Sequence, residues 1–331
     1  MKRYDVYSIG HALVDVEAEV DDAFLAQAGV EKGTMTLVDS TRQKELLALL
    51  EGRTVKRACG GSAANTVIGL SQFGGRGCFA CCVAEDEPGA FFTAEMSASG
   101  VAYHAIPPAE PGPTGRCVVF VTPDAERSMC THLGVSSAFS PDQWSAEHAA
   151  QADVVYIEGY LVTSPGGRSA AVSAARAAAH HGGQSALSFS DPNMVQYFRD
   201  GLEEILAEGV GLIFCNEREG MLFTGAATPE EALHRLGQRA RRAALTLGAA
   251  GALLLEEDRV IRIPPFSARA VDTNGAGDLF AGALLHGLAQ GWSLEAAGHL
   301  ACRASATLVS QFGARLRPGQ AQDILQAHRQ A

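Results

Sequence analysis

Lysine is scarce in this chain, and its scarcity excludes the most familiar way of binding a phosphate. The four lysines are Lys2, Lys32, Lys44 and Lys56, and none of them follows a glycine. A Walker-type loop, which needs Gly-Lys-Ser/Thr, is therefore absent. The protein-kinase set of a strand lysine and Asp-Phe-Gly has no counterpart either. Any phosphate has to be bound through backbone N–H groups and arginine.

A dinucleotide-binding fingerprint is missing as well. The spacing Gly275-x-Gly277 places Phe280 where the motif Gly-x-Gly-x-x-Gly needs its third glycine. This departure argues against a dinucleotide-dependent oxidoreductase.

Long apolar runs and an excess of positive charge are also lacking. The 331 residues carry a formal net charge of −11, which argues against binding to nucleic acid or to anionic membranes. No run of about 18 apolar residues is present to span a membrane. No apolar run of signal-peptide length follows Met1. We expect a cytoplasmic protein, a monomer or homodimer, with no nucleic-acid or membrane partner.

Cysteine is present, and its arrangement has two interpretations. Residues 78–82 contain a Cys-x-x-Cys, but a second cysteine pair at zinc-binding spacing is missing. A metal or redox site is one interpretation. Buried, reduced thiols within a strand are the interpretation we favour, because free cysteine is among the most buried residue types.

Short apolar segments alternate with alanine-rich helical segments along the chain. Residues 6–10 and 77–83 have strand character, whereas residues 62–73 and 277–290 have helical character. Near-continuous apolar strands joined by helices predict an α/β fold: a doubly wound, mostly parallel sheet flanked by helices. No repeat or low-complexity linker interrupts the pattern, so we expect one domain over residues 1–331.

Three segments fall outside that alternation. Residues 14–22 alternate apolar and acidic side chains, as in a half-exposed strand, and residues 33–39 and 115–121 are candidates to pair with them. They predict a small antiparallel β lid over the main sheet, which would exclude water from a reaction.

The most informative motif is Asp272-Thr273-Asn274-Gly275-Ala276-Gly277-Asp278, which leads directly into an apolar helix. Unpaired N–H groups and the dipole at a helix N-terminus favour an anion there. A carboxylate beside an anion suits a base that takes a proton from an attacking hydroxyl, as phosphoryl transfer to an alcohol requires. The alternative is an ordinary glycine-rich turn, with Asp278 interacting favourably with the helix dipole.

Two further motifs accompany it. Gly60-Gly61-Ser62-Ala63-Ala64-Asn65-Thr66 lies near the N-terminus, and Asn216-Glu217-Arg218-Glu219 lies between the two glycine-rich segments. Together the three motifs resemble those of the ribokinase (PfkB-type) carbohydrate kinase family, over nearly the whole chain. The resemblance implies a ribokinase-like fold and an ATP-dependent kinase.

Within that resemblance, Asp278 is the base that deprotonates the substrate hydroxyl. The amides of Gly275, Ala276 and Gly277 stabilise charge on the transferred phosphoryl group, which fits the positioning and charge stabilisation that this chemistry needs. The other implied site residues bind ions and nucleotide: Glu219 with Asn216 for Mg²⁺ through water, Thr246 and Gly248 for ATP, and Asp272 and Thr273 for a monovalent cation such as K⁺.

On the substrate side, Asp15 resembles the family aspartate that binds vicinal sugar hydroxyls, with Gly61 and Asn65 completing the contact. A carboxylate accepts two hydroxyl hydrogen bonds well, which suits a ribose-like diol. Without the resemblance, Asp15 is simply an exposed strand residue. Arg127 resembles an arginine that reaches the phosphates, and its alternative is a solvated hairpin arginine.

The acceptor is less well defined by these residues. Segments around residues 159–165 and 212–217 resemble the adenosine kinase-like branch, which favours a primary hydroxyl of a ribonucleoside such as adenosine. However, His11 replaces an asparagine of that branch, and Leu161 and Asn193 fall where aromatic residues stack on a purine. A free sugar such as ribose or a ketose is the alternative acceptor. A non-catalytic sensor on the same scaffold would need neither Asp278 nor Glu219.

Overall fold

The computed structural model describes residues 2–107, 110–124 and 126–330. Its strands are β1 Tyr4–Ile9, β2 Leu13–Glu19, β3 Met35–Leu37, β4 Val55–Gly60, β5 Gly77–Cys81, β6 Ala102–Ala105, β7 Thr114–Val121, β8 Arg127–Gly134, β9 Ala152–Glu158, β10 Gln184–Ser188, β11 Leu212–Asn216, β12 Arg242–Thr246, β13 Ala252–Glu256 and β14 Arg259–Ile263. Its α-helices are α1 Asp22–Ala28, α2 Ser40–Leu49, α3 Ser62–Gln72, α4 Glu87–Ala98, α5 Ala146–Ala150, α6 Pro165–His180, α7 Pro192–Tyr197, α8 Arg199–Ala207, α9 Glu217–Thr224, α10 Pro229–Gly237, α11 Ala276–Ala289, α12 Leu294–Leu308 and α13 Gln320–Arg329.

A nine-stranded sheet forms the centre of the molecule, in the order β14-β13-β12-β11-β10-β9-β1-β5-β6. Pairing is parallel from β12 to β6, and β13 and β14 are added antiparallel at one edge. All six residues of β1 are buried, as expected for a strand covered on both faces. The predicted doubly wound, mostly parallel sheet is confirmed.

Helices cover both faces of this sheet, because successive strand residues point to opposite sides. Phe79 packs in a cluster with residues of α3, α11 and α12, whereas its neighbour Ala80 packs in a second cluster with residues of α6, α8 and α10. Parallel strands end at a common edge, and the loops leaving that edge build the site described below.

A second sheet has five strands in the order β3-β8-β7-β2-β4. The segments predicted as lid strands overlap β2, β3 and β7, but the pairing in this sheet is mixed and not purely antiparallel. The β2–β7 and β3–β8 pairs are parallel, and the β2–β4 and β7–β8 pairs are antiparallel. The strands β4 and β8 were not predicted. For β4 the reason is that its first residues, Val55, Lys56 and Arg57, are all exposed and show no alternation of buried and exposed side chains. We call these five strands the lid sheet.

One face of the lid sheet is covered by helices. Phe24 of α1 and Leu46 of α2 pack on Val118 and Phe120 of β7. The opposite face is left to line the cavity between the lid sheet and the main sheet.

Two further expectations concern the state of the cysteines and the presence of a membrane-spanning helix. All eight cysteines are free and buried, which confirms the interpretation as buried thiols. Of the helices in the described parts of the chain, none combines the length and the apolar character that a membrane span requires.

Candidate active site

A close approach of α3 and α11 brings the two glycine-rich motifs together. A Cβ at Gly282 of α11 would collide with the carbonyl oxygen of Thr66 in α3, so only glycine allows this separation. A Cβ at Gly69 would lie 2.9 Å from a methyl carbon of Leu279. Because the helices pack this tightly, their N-termini meet at the edge of the main sheet.

Asp278, in the first turn of α11, is held by two side chains of α3. The Ser62 hydroxyl donates to Oδ1 at 2.6 Å, and the Asn65 amide donates to Oδ2 at 3.2 Å. Burial raises the pKa of Asp278 to about 6, although both hydrogen bonds lower it. A carboxylate with this pKa is ionised at neutral pH and is basic enough to accept a proton from a hydroxyl.

The turn before α11 presents backbone donors. Gly275 has a φ of 72°, and a Cβ there would lie 2.8 Å from the carbonyl oxygen of Ala314. In the described residues, the N–H groups of Gly275 and Gly277 donate to no backbone oxygen, whereas that of Ala276 donates to Thr273 at 3.3 Å. The space beside Gly277 is open, so an anion can approach these amides closely.

A cavity of about 550 Å³ lies between the lid sheet and this turn. Most of the predicted site residues line it: His11, Asp15, Gly61, Asn65, Arg127, Asn216, Glu219, Thr246, Thr273, Gly275, Ala276, Gly277 and Asp278. Two predicted residues, Gly248 and Asp272, are not among the lining residues. Gly248 lies on the surface in a short 3-10 helix after β12, and Asp272 is buried beneath the turn.

Asp15 enters the cavity from β2 of the lid sheet. Burial raises the pKa of Asp15 to about 7, although the positive charges of Arg315 and Arg127 lower it. Its carboxylate lies against Gly60, where a Cβ would collide with both oxygens. Ligand hydroxyls that donate to this carboxylate would stabilise the ionised form.

Neighbouring polar atoms at the same end of the cavity are without partners. Within the described residues, Oδ1 of Asn65 and Nε2 of His11 have no hydrogen-bond partner. The Nδ1 atom of His11 lies 3.0 Å from the carbonyl oxygen of Ser136, and the backbone of Tyr160 also lies close to the ring. Asn65 therefore combines a donor fixed on Asp278 with an acceptor left for a hydroxyl.

Glu158, at the end of β9, is a site residue that the sequence analysis missed. Its carboxylate accepts hydrogen bonds from the N–H of Ala63 at 2.8 Å and of His11 at 3.3 Å. Burial raises the pKa of Glu158 to about 8. Glu158 joins the loop after β1 to the N-terminus of α3. A charged residue at the end of the apolar run 154–157 was the signal that could have identified it.

Asn216 and Glu219 form a capping box at the start of α9. The Asn216 amide donates to Oε1 of Glu219 at 2.6 Å, and the Asn216 N–H donates to Oε2 at 3.0 Å. Burial raises the pKa of Glu219 to about 7. Each carboxylate oxygen accepts one hydrogen bond and keeps a second lone pair, so Glu219 fits a role in holding the water shell of Mg²⁺.

Arg127 of β8 lies under the turn and is 8% exposed in its side chain. Its Nε donates to Asp272 at 2.5 Å, its Nη2 donates to the same carboxylate, and Nη2 also lies 3.3 Å from Glu17. Its Nη1 atom is buried and has no partner in the described residues. Because Arg127 lines the cavity, Nη1 is the part of the guanidinium that remains for an anion.

Leu161 and Asn193 do not occupy the positions that the sequence analysis assumed. Leu161 is fully buried in the core beside the main sheet, and Asn193 lies on the exposed first turn of α7. Neither is among the residues that line the cavity. Aromatic side chains do reach the cavity, namely those of Tyr160, Phe214 and Phe280.

The lid side of the cavity is largely aliphatic. We call the following set the apolar lid face: Leu13, Met35, Leu37, Val119, Met129 and Leu133. Leu37 is 57% exposed although it is apolar, so part of this face is in contact with solvent when the cavity is empty. Covering such a surface with an apolar, flat group is favourable, because it removes apolar area from water.

Comparison with known proteins identifies the family to which this geometry belongs. Residues 6–319 match the pfkB family carbohydrate kinase domain. The chain belongs to the pfkB family of carbohydrate kinases. The chain is 29% identical over 311 residues to the adenosine kinase of Saccharomyces cerevisiae, which covers 87% of this chain and 89% of that protein.

Two solved structures are similar over almost the entire chain. A probable sugar kinase from Rhizobium etli CFN 42 has a TM-score of 0.91 and 36% identity, and 99% of each chain is covered. The adenosine kinase from Sinorhizobium meliloti has a TM-score of 0.90 and 35% identity, with 98% of this chain and 99% of that chain covered. The pfkB family member described here is an ATP-dependent kinase of the nucleoside and sugar kinase type.

Proposed function

We propose that this kinase transfers the γ-phosphoryl group of ATP to the primary hydroxyl of a ribonucleoside, with adenosine as the preferred acceptor. The observation that carries the proposal is the division of the cavity into two chemically different parts. Asp15, Asn65 and Asp278 supply the polar lining of the cavity, and the apolar lid face supplies an aliphatic lining on the same sheet that carries Asp15. A nucleoside matches this division, because it joins a hydroxyl-rich ribose to a flat base.

In this proposal Asp15 accepts hydrogen bonds from the ribose diol, and Asp278 takes the proton of the primary hydroxyl as that oxygen attacks. The proton moves from the hydroxyl to the carboxylate, the new P–O bond forms, and the bond to the leaving ADP breaks. The free amides of Gly275 and Gly277 stabilise charge on the transferred group. Nη1 of Arg127 donates to a phosphate oxygen.

The nucleotide would lie along β11 and β12, near Asn216, Thr246 and Gly248. Glu219 would hold Mg²⁺ through water, and the ion would supply charge neutralisation on the phosphates. A free sugar is the second candidate acceptor, favoured by the similarity to the probable sugar kinase from Rhizobium etli CFN 42. A free sugar carries hydroxyls but no flat apolar group, so the apolar lid face would remain uncovered.

An acceptor panel tests the proposal. ADP release is measured with adenosine, inosine, 2′-deoxyadenosine, ribose and fructose at equal concentration, with the Asp278→Asn variant as the background control. The proposal predicts the highest kcat/KM for adenosine. Strong turnover of ribose or fructose, without turnover of any nucleoside, would contradict the proposal and support a sugar kinase.

A further inference from the structure

The Asp272 carboxylate lies directly beneath the anion-binding turn and is 1% exposed in its side chain. The N–H of Asn274 donates to Oδ1 at 2.9 Å, and the N–H of Gly313 donates to Oδ2 at 2.7 Å. Nε and Nη2 of Arg127 donate one hydrogen bond to each oxygen. Asp272 therefore joins the turn, the segment after α12 and the lid sheet.

These contacts leave no room for a metal ion on Asp272. A carboxylate offers about four lone-pair sites, and four donors already occupy them. A monovalent metal ion that took this carboxylate as a ligand would have to displace Arg127 or a backbone N–H from it. Thr273, the other predicted cation residue, is exposed and lines the cavity. The residues present do not fit the monovalent cation that the family resemblance suggests.

A buried carboxylate still requires a positive charge or several donors to remain ionised. We propose that the Arg127 guanidinium is a built-in cation that replaces a monovalent metal ion beneath the turn, so that this kinase works without K⁺ or Na⁺. The guanidinium has the charge of K⁺ and a rigid pair of donors that matches a carboxylate. It acts on the turn through Asp272, while its buried Nη1 atom has no partner in the described residues.

Unlike a free ion, Arg127 is part of the lid sheet, so it can connect that sheet to the turn. Arg127 belongs to β8 of the lid sheet, and Asp272 begins the turn that supplies the anion-binding amides. The same ion pair therefore connects the lid sheet to the turn. Glu17 of β2, 3.3 Å from Nη2, holds the guanidinium from the lid side.

The test compares cations on the whole chain. Thermal unfolding without substrate, and turnover with ATP and Mg²⁺, are measured in KCl, NaCl and choline chloride at equal ionic strength. For the wild type we expect equal melting temperatures and equal turnover in all three salts. A higher melting temperature or several-fold faster turnover in KCl than in choline chloride would overturn the proposal. The thermal measurement requires no acceptor, so its outcome is separate from the acceptor assignment.

Two substitutions at the same position separate charge from packing. Arg127→Ala should lower turnover on the order of 10², as for other lost charge-stabilising donors. It should recover stability and part of its turnover with K⁺ or methylguanidinium. Arg127→Lys keeps the charge and should not respond to K⁺. If Arg127→Ala does not fold, Arg127→Gln replaces it with the same expectation. Equal responses of the neutral and lysine variants, or no recovery by either cation, would contradict a role for the charge.

Discussion

Ser62 donates a hydrogen bond of 2.6 Å to Asp278, although 216 positions separate the two residues in the sequence. The bond exists because glycines at the α3–α11 contact allow these helices to meet at their N-termini. It orients the carboxylate toward the cavity and favours its ionised form. The packing of two helices thus determines the direction and the basicity of the proposed base.

Replacing the base should separate activity from stability. Asp278→Asn is expected to reduce single-turnover phosphorylation by roughly 10²–10⁴, the usual contribution of a positioned base. Its folded pKa of about 6 lies above the ordinary 3.8, so its contribution to stability is lost as pH rises from about 4 to about 6. At pH 7 the variant should melt at or above the wild-type temperature. Asp258→Asn, in an exposed turn, is the matched control, and near wild-type rates for Asp278→Asn would remove Asp278 from the mechanism.

The pH dependence should reveal the hydrogen bond from Ser62. Since the base must be ionised, kcat/KM should show a fall as pH drops through about 6, below the losses near pH 7 that protonation of Asp15 and Glu219 would cause. In Ser62→Ala the ionised form loses a donor, so the acidic limb should move to higher pH. Ser310→Ala, at an exposed position, controls for loss of a hydroxyl. An unmoved acidic limb in Ser62→Ala would show that this bond does not tune the base.

Glu219→Gln should raise the Mg²⁺ requirement more than it raises the KM for the acceptor, because a neutral amide holds the water shell of the ion less strongly. The pKa of Glu219 is raised to about 7, so the wild type should also need more Mg²⁺ as pH falls below 7. Mg²⁺ is titrated at saturating ATP and acceptor. Glu217→Gln, on the exposed side of the same first turn, is the control. Identical Mg²⁺ curves for wild type and Glu219→Gln would make Glu219 a purely structural cap.

Asp15 should determine how strongly the kinase prefers an acceptor with an intact ribose diol over one that lacks the 2′-hydroxyl. The wild type is expected to prefer adenosine strongly over 2′-deoxyadenosine, because a missing hydroxyl leaves a buried carboxylate without its partner. Asp15→Ala should reduce both the rate and this preference, as measured by the ratio of the two kcat/KM values. Glu19→Ala, an exposed residue of the same strand, should change neither. A ratio that survives in Asp15→Ala would place recognition of the diol elsewhere.

Some of this structure follows from local sequence, and some depends on contacts that only the fold creates. The main sheet was predictable because its short apolar strands alternate with alanine-rich helical segments. The mixed pairing of the lid sheet was not, since β4 begins with the exposed residues Val55, Lys56 and Arg57. The two glycine-rich motifs predicted the turn and the carboxylate of Asp278 beside it. The contact between Arg127 and Asp272 joins residues 145 positions apart and has no local signal.

A competition experiment tests the central claim most directly. The kinase receives ATP, Mg²⁺ and equimolar adenosine, ribose and fructose, and the new phosphate esters are identified by coupled ¹H–³¹P NMR. The account predicts one dominant product, in which phosphorus couples to the 5′ methylene protons of adenosine, and no such product with Asp278→Asn. A pentose or hexose phosphate formed while adenosine remains unchanged would contradict it.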